Sequence, residues 1–308
     1  MRIVVALGGN ALLERGEPPD SDIQESHVAS AVDALKPLLQ RHDLVITHGN
    51  GPQVGVLAVE SAGDPALSRP YPFDVLGAQT QGMIGYWLVQ ALQAAAPGKP
   101  AACLICRTVV HADDPAFGNP AKFVGPVYDE ATARRLAADH GWDMRQDGQA
   151  WRRVVPSPEP AELVELDMIK VLMSQGAIVV CAGGGGIPVV ADSPGRLCGV
   201  EAVVDKDLTA ALLAQAVGAE ALLLLTDVES VMDGYGTPQA RPIRQATTRE
   251  LRARSFPAGS MGPKVEAVCR FVEKTGGTAA IGRLEDAGAL LDGTVGTIIV
   301  PTGKRGER

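Results

Sequence analysis

The chain alternates between short, almost unbroken apolar runs and longer stretches whose apolar residues recur every three or four positions. "RIVVALG" is the first such run. It leads into "ESHVASAVDALKPLLQRH", where Val28, Val32, Leu35 and Leu39 share one helical face. "DLVITHG" returns to the strand pattern. "PQVGVLAVES" returns to the helical one, with Pro52 suited to a first helical position. In "GMIGYWLVQALQAAA", Ile84, Trp87, Leu88 and Ala91 repeat at helical spacing, and "AACLICRTVV" reads as one buried strand. Farther on, "GAIVVCAG", "EALLLLTD", "TAAIG" and "GTIIVP" predict strands. "AELVELDMIKVLMSQ", "DLTAALLAQAVG" and "PKVEAVCRFVEKTGG" predict helices. Strands with almost no polar positions are buried on both faces. The pattern therefore predicts an α/β fold, a three-layer sandwich with a mostly parallel central sheet.

Residues 112–157 break the alternation. "DDPAFGNPAKFVGP" holds three prolines and two glycines without a period, "DEATARRLAADHG" predicts a short helix, and "MRQDGQAWRRVV" predicts a hairpin turning at Asp147-Gly148. This segment reads as an insertion projecting from the α/β body, and the closing "GKRGER" as a frayed end.

Composition narrows the function classes. The 308 residues are 46% apolar and 21% charged, ordinary for a globular protein. Aromatics are only 4% and the net charge is −8 without a long basic run, which argues against nucleic acid or an anionic membrane as partner. No apolar stretch is long enough to span a bilayer, and the first residues do not follow the order of a signal peptide. The five cysteines are scattered. Cys103 and Cys106 could form a redox pair, but their strand-like surroundings favour core thiols and a reducing cytoplasm.

The polar chemistry gathers where strands end. The first ends in Gly8-Gly9-Asn10, the second in "HGNGPQVG", a third in "AGGGGIP" and a fourth in Thr226-Asp227. Ligands of open α/β sheets bind beyond the carboxyl ends of strands, so these endings point to one shared cleft. Each glycine cluster taken alone could instead serve close helix packing. "GNGPQVG" also matches a variant of the dinucleotide fingerprint. It does not follow the first strand, however, and no acidic residue ends a strand about twenty positions on, so a Rossmann dehydrogenase is the weaker reading. The phosphate loop G-x-x-x-x-G-K-[ST] is absent.

Two lysines occupy predicted helix starts. Asp205 can cap the helix whose first turn holds Lys206 and Asp207, and Gly262-Pro263 suit the cap and first position of the helix whose first turn holds Lys264. A cation there opposes the helix dipole by about 0.3–1 kcal/mol. A bound polyphosphate would reverse that sign, whereas two solvated lysines would simply tolerate it.

Together these residues resemble the amino acid kinase superfamily, and within it the carbamate kinase family. The match runs over nearly the whole chain, through "VVALGGNAL", "HGNGPQVG" (preceded here by Thr47 where the family has Ser), "QGMIGYWL", "NPAKFVGP", "WRRVVPSP", "GGGGIPVV", "EAVVDKDLTA", "LLTDVE", "FPAGSMGPKVEA" and "GTIIV". The resemblance implies a sheet of about eight strands, a homodimer, and reversible phosphoryl transfer between ATP and carbamate, with Mg²⁺ travelling on the phosphates and no dedicated protein cage for it. Carbamate would lie over residues 1–218, held by Gly8, Gly9, Asn10, Asn50, Gly51, Gly183 and Gly184. The nucleotide would lie over residues 219–308, near Thr226, Asp227, Tyr235, Met261 and Lys264. Many superfamily kinases carry a lysine two residues before the paired glycines, where this chain has Ala6. The resemblance implies that Lys122, from the insertion, supplies that charge. Lys206 and Lys264 would be the other cations, and Asp207 would orient them. Another acyl-phosphate-forming kinase, such as one acting on acetylglutamate, and an inactive sensor are the alternatives. "GNGPQVG" offers no arginine for a second carboxylate, which favours a very small acceptor.

Overall fold

Strand β1 (Arg2–Leu7) divides its side chains between two cores. Ile3, Val5 and Leu7 enter one core, and Val4 and Ala6 enter the other. All five are fully buried, which is why the strand shows no polar alternation. The structure, a computed structural model, describes residues 1–14, 16–193, 195–257 and 259–302, and only the backbone at Asn10. The tail read as frayed lies outside the described residues.

Seven further strands join β1 in the main sheet: β2 (Asp43–His48), β3 (Ala101–Cys103), β4 (Ile178–Val180), β5 (Ala221–Thr226), β6 (Gln245–Thr247), β7 (Thr278–Arg283) and β8 (Thr297–Val300). Their order is β6-β8-β7-β5-β1-β2-β4-β3. From β7 to β3 the neighbours are parallel. β8 runs antiparallel to β7, and β6 follows β8. The chain thus builds outward from β1 on one side and from β5 on the other. Their adjacent carboxyl ends, at Gly8 and Thr226, form the switch point where such sheets bind ligands.

The helices are α1 (Ser21–Leu39), α2 (Gly51–Gly63), α3 (Phe73–Ala95), α4 (Glu130–His140), α5 (Leu166–Ser174), α6 (Lys206–Ala216), α7 (Thr248–Arg252), α8 (Met261–Thr275) and α9 (Ala287–Leu290). Val28, Val32 and Leu35 of α1 pack with Ile84 and Leu88 of α3 and Leu290 of α9 against one face of the sheet. Leu213 of α6 and Val268 and Val272 of α8 cover the other, with Ile169 of α5 and Leu251 of α7. The three layers expected from the sequence are present.

Two predicted elements differ. "AACLICRTVV" is two strands in two sheets: β3, and Arg107–Val109, which pairs with Ile187–Ser193. The break is held by Gln81 of α3. Its side chain accepts a hydrogen bond from the Cys106 amide at 2.8 Å and donates to the Cys106 carbonyl at 3.1 Å, replacing a ladder partner. Cys103 and Cys106 are unbonded thiols, and burial pushes Cys103 up to about 11. The helix expected from Ala161 begins only at Leu166, because Glu162–Leu163 pairs antiparallel with Thr108 and Val109.

Beyond the body stands an antiparallel sheet of Lys122–Tyr128, Ala150–Val155 and Met144–Asp147, with α4 beside it. Val124 and Val155 pack on Val54 and Ala58 of α2 and on Phe73 and Leu76 of α3. The Arg153 guanidinium lies 4.7 Å from the Phe73 ring and 4.2 Å from the Trp142 ring, and pairs with Glu201 at 2.7 Å. Glu201 also accepts from the Phe73 amide, fastening the sheet to the start of α3. Between Val124 and Val127 the strand bulges at Gly125, whose φ of +70° suits glycine. There it touches Gly55 of α2: a Cβ on Gly55 would stand 2.6 Å from the Gly125 Cα.

Backbone meets backbone at that contact, so the neighbour has no side chain to move aside. Gly55→Ala is expected to loosen the projecting sheet while leaving the main fold intact, at about 1–3 kcal/mol. Amide exchange over residues 122–155 should rise about tenfold or more; unchanged exchange there would show that the approach is not a constraint.

Candidate active site

Gly8 and Gly9 leave the sheet between β5 and α2. The Gly8 amide donates to the Leu225 carbonyl at 2.9 Å, and a Cβ on Gly8 would stand 3.0 Å from that same oxygen. Gly8 is therefore required by packing. Gly9 is not: a Cβ there would meet only Pro52, at 3.6 Å, and its φ is not left-handed.

Around these glycines lies a cleft of about 270 Å³. It gathers Gly8, Gly9, Lys122, Lys206, Asp207, Thr226, Asp227 and Lys264 from both halves of the chain and from the projecting sheet. A second cavity shares Thr226 and Asp227 but is lined by Glu14, His27 and Glu285, with no lysine among the described residues. The lysines expected to meet a polyphosphate gather in the first.

Asp207 is the hub. Only 5% exposed, it accepts from the Lys206 ammonium at 2.6 Å and from the Lys264 ammonium at 2.9 Å. Burial alone would raise its carboxyl pKa, but the two ammonium charges outweigh burial and hold it far below the usual range. Burial lowers Lys206, as does the neighbouring Lys264, against the pull of Asp207. At Lys264 burial also works downward, but Asp207, Asp205 and Asp227 prevail and raise it. The Lys122 ammonium lies 2.7 Å from the Asp205 carboxylate.

One of the two helix starts matches expectation and the other differs. Asp205 does cap α6, accepting from the amides of Asp207 and Leu208 at 2.9 and 3.2 Å. Those amides are therefore spent on Asp205, and α6 can offer a phosphate its lysine but not these two donors. α8 begins two residues earlier than the sequence indicates, at Met261, and Ser260 makes no side-chain cap. Pro263 falls one turn in, where its missing N–H costs no helical bond. At the start of α8 the Gly262 amide donates to the Pro257 carbonyl at 2.9 Å and Pro263 has no N–H, so this helix too offers an anion chiefly its lysine, Lys264.

Of the residues the sequence assigns to the acceptor, Gly8 and Gly9 line this cleft, whereas Asn50, Gly51, Gly183 and Gly184 are not part of its wall. A Cβ on Gly49 would come within 2.8 Å of the Gly9 nitrogen, so the β1 and β2 turns touch. Asn50, which the sequence assigns to substrate, donates to the Thr80 hydroxyl at 2.9 Å and packs against Gly184. Gly183 packs on the His48 ring. Gly51 opens α2 with nothing within reach of its Cβ position, and the Asn10 side chain lies outside the described residues. Tyr235, 72% exposed, and Met261 stand away from the cleft wall. Thr80 and the paired role of Asp205 escape sequence reasoning. Thr80 sits mid-helix without a motif, and Asp205 is legible only as a cap.

Residues 1–282 match the amino acid kinase family. The chain belongs to the amino acid kinase family. Its relatives include the carbamate kinase of Rhizobium meliloti (strain 1021), 51% identical over 303 residues, covering 97% of this chain and 93% of that protein. The carbamate kinase of Pyrococcus furiosus is 45% identical over 312 residues, covering 97% and 99%. Among solved structures, carbamate kinase from Giardia lamblia bound to AMP-PNP superposes with a TM-score of 0.88 at 38% identity, covering 98% of each chain.

His48 carries a pH signature. Its Nδ1 lies 2.9 Å from the Gly49 carbonyl. Burial lowers its pKa to about 4, with Lys206 adding to the shift and the Gly49 hydrogen bond opposing it. Above about pH 6.5 neither folded nor unfolded chain holds this proton. Between 6.5 and 4 the unfolded chain binds it and the native imidazole does not, so stability falls as pH drops, by up to about 3 kcal/mol. Urea denaturation at pH 7 and pH 5 should show about 2 kcal/mol of that loss in the native sequence and a flatter profile in His48→Gln.

Proposed function

We propose that this cleft transfers a phosphoryl group reversibly between ATP and carbamate, forming ADP and carbamoyl phosphate, with Lys122, Lys206 and Lys264 neutralising the moving charge. The observation that carries this reading is Asp207 holding Lys206 and Lys264 beside the Gly8-Gly9 turn. The transfer is in line and needs no covalent protein intermediate. Carbamate brings its own anionic oxygen, and Asp207, held ionised by two lysines, orients them rather than acting as a base. Of the two amides of the Gly8-Gly9 turn, that of Gly9 would face the phosphoryl group, since that of Gly8 is spent on the Leu225 carbonyl. Lys264 in the first turn of α8 would take the nucleotide's phosphates, with Met261 alongside and the base toward Thr226, Asp227 and Tyr235.

Acceptor and nucleotide divide the chain in this reading, carbamate over residues 1–218 and nucleotide over 219–308. Asn50, Gly51, Gly183 and Gly184 frame the acceptor side with Asn10. Among the described residues no group of His, Cys, Asp or Glu side chains could hold a metal ion. Asp205 and Asp207 are committed to lysines, so the Mg²⁺ that accompanies ATP would be held by phosphate oxygens and water, the habit of that ion. It would supply charge neutralisation on the phosphates. The proposal extends to a homodimer in the cytoplasm, the first checked by sedimentation velocity; no helix is long and apolar enough to cross a membrane among the described residues.

The direct test is ATP formation from ADP and carbamoyl phosphate. Activity with acetyl phosphate or acetylglutamate phosphate but none with carbamoyl phosphate would replace the acceptor. Lys264→Ala is expected to lower turnover at saturating nucleotide by about 10²–10³, as for one preorganised charge-stabilising donor; turnover within threefold would remove Lys264 from the mechanism. Gly9→Val should keep its circular dichroism and melting transition, because its Cβ has room, yet lose activity. An active, folded variant would take Gly9 out of the phosphoryl path.

A further inference from the structure

We infer that Asp205 is a positioning residue for Lys122, holding its ammonium over the cleft in the orientation needed for phosphoryl transfer, while also capping α6. The inference rests on the reading of Lys122 as a cation of the reaction.

The carboxylate of Asp205 is divided between two duties. One oxygen accepts from the amides of Asp207 and Leu208 and so caps the helix, and the other accepts from Lys122 at 2.7 Å. The cap fixes the carboxylate. Its second oxygen is then presented in one direction, toward the strand that begins at Lys122. Asp205 is only 12% exposed at its side chain, whereas Lys122 is 37% exposed. The anchor is the rigid partner and the lysine the guided one.

A lysine side chain has four rotatable bonds, and ordering it during the reaction would add to the barrier. Pairing with a fixed carboxylate removes that freedom beforehand. An ammonium has three N–H donors, so one can stay on Asp205 while the others face a phosphoryl oxygen. The same first turn already shows this device: Asp207 holds Lys206 and Lys264. Two carboxylates two residues apart thus order three lysines drawn from the projecting sheet, from α6 and from α8. A surface ion pair would be too weak to matter. This one differs because its acidic partner is buried and immobilised by helix amides.

The experiment separates cap from seat. Asn caps a helix about as well as Asp but carries no charge, so Asp205→Asn should melt close to the native protein; Asp205→Ser, also a good cap, serves if the amide does not fold. For ATP formation from ADP and carbamoyl phosphate, Asp205→Asn should lower kcat about tenfold or more, with ADP affinity by calorimetry changed less than threefold. Lys122→Ala should behave alike. The double variant Lys122→Ala, Asp205→Asn should be no worse than Lys122→Ala within twofold, because the seat has nothing left to hold. A kcat within twofold of native in Asp205→Asn, or a double variant in which the two losses multiply, would overturn the inference. If Lys122→Ala alone leaves kcat unchanged, the reading of Lys122 fails and the inference falls with it. An effect of Lys122→Ala without one of Asp205→Asn leaves that reading standing and refutes only the seat.

Discussion

A carboxylate buried between two ammonium groups sets the terms for everything around it. Asp207 cannot leave that place without stranding Lys206 and Lys264 in a site from which water is largely excluded. Removing one partner of such a cluster typically costs about 3–5 kcal/mol, more than most single contacts in a domain. Lys206 and Asp207 stand on α6 and Lys264 on α8, so the cluster is complete only when α6 and α8 pack side by side on the sheet. The net positive charge of the cluster is uncompensated within it. The imbalance is a single charge, and it favours an anion beside it.

Much of this was legible beforehand because two periodicities carried it. The unbroken apolar β1 and β5 and the helical spacing of Val265, Val268 and Val272 gave the layers, and the glycine-rich strand ends gave the cleft. What escaped the pattern was where one element hands over to another. Gln81 interrupts "AACLICRTVV" by standing in for a ladder partner, and no local signal at Cys106 announces a side chain 25 residues upstream. α8 starts at Met261, where the Gly262 amide donates to the Pro257 carbonyl of the preceding turn, a contact that the spacing of the apolar residues does not report. For the site, Lys206, Asp207 and Lys264 were readable as charges at helix starts. Asp205 was readable only as a cap, since its second partner comes from residue 122, far away in sequence.

In the proposed division, the acceptor side is built differently from the nucleotide side. There the chain relies on glycines that admit close neighbours rather than on charge: the Gly9 backbone at Gly49, the His48 ring at Gly183 and the Asn50 amide at Gly184. Burial holds His48 low, which keeps a further cation out of a region that already holds Lys206. A small planar acceptor would suit so crowded a frame, and a larger one would need the space those neighbours take.

The meeting of Gly55 and Gly125 has a mechanical meaning. Side chains that interlock resist sliding, since each must leave its hole before it can move. Two bare backbones have no such teeth, so at this point only their separation is fixed. Resistance to sliding falls to the side chains around it: Val124 and Val155 against Val54, Ala58, Phe73 and Leu76, and Arg153 between Phe73 and Trp142, tied to Glu201. The place of Lys122 at the cleft is therefore set by that apolar patch and its arginine as much as by the glycine contact.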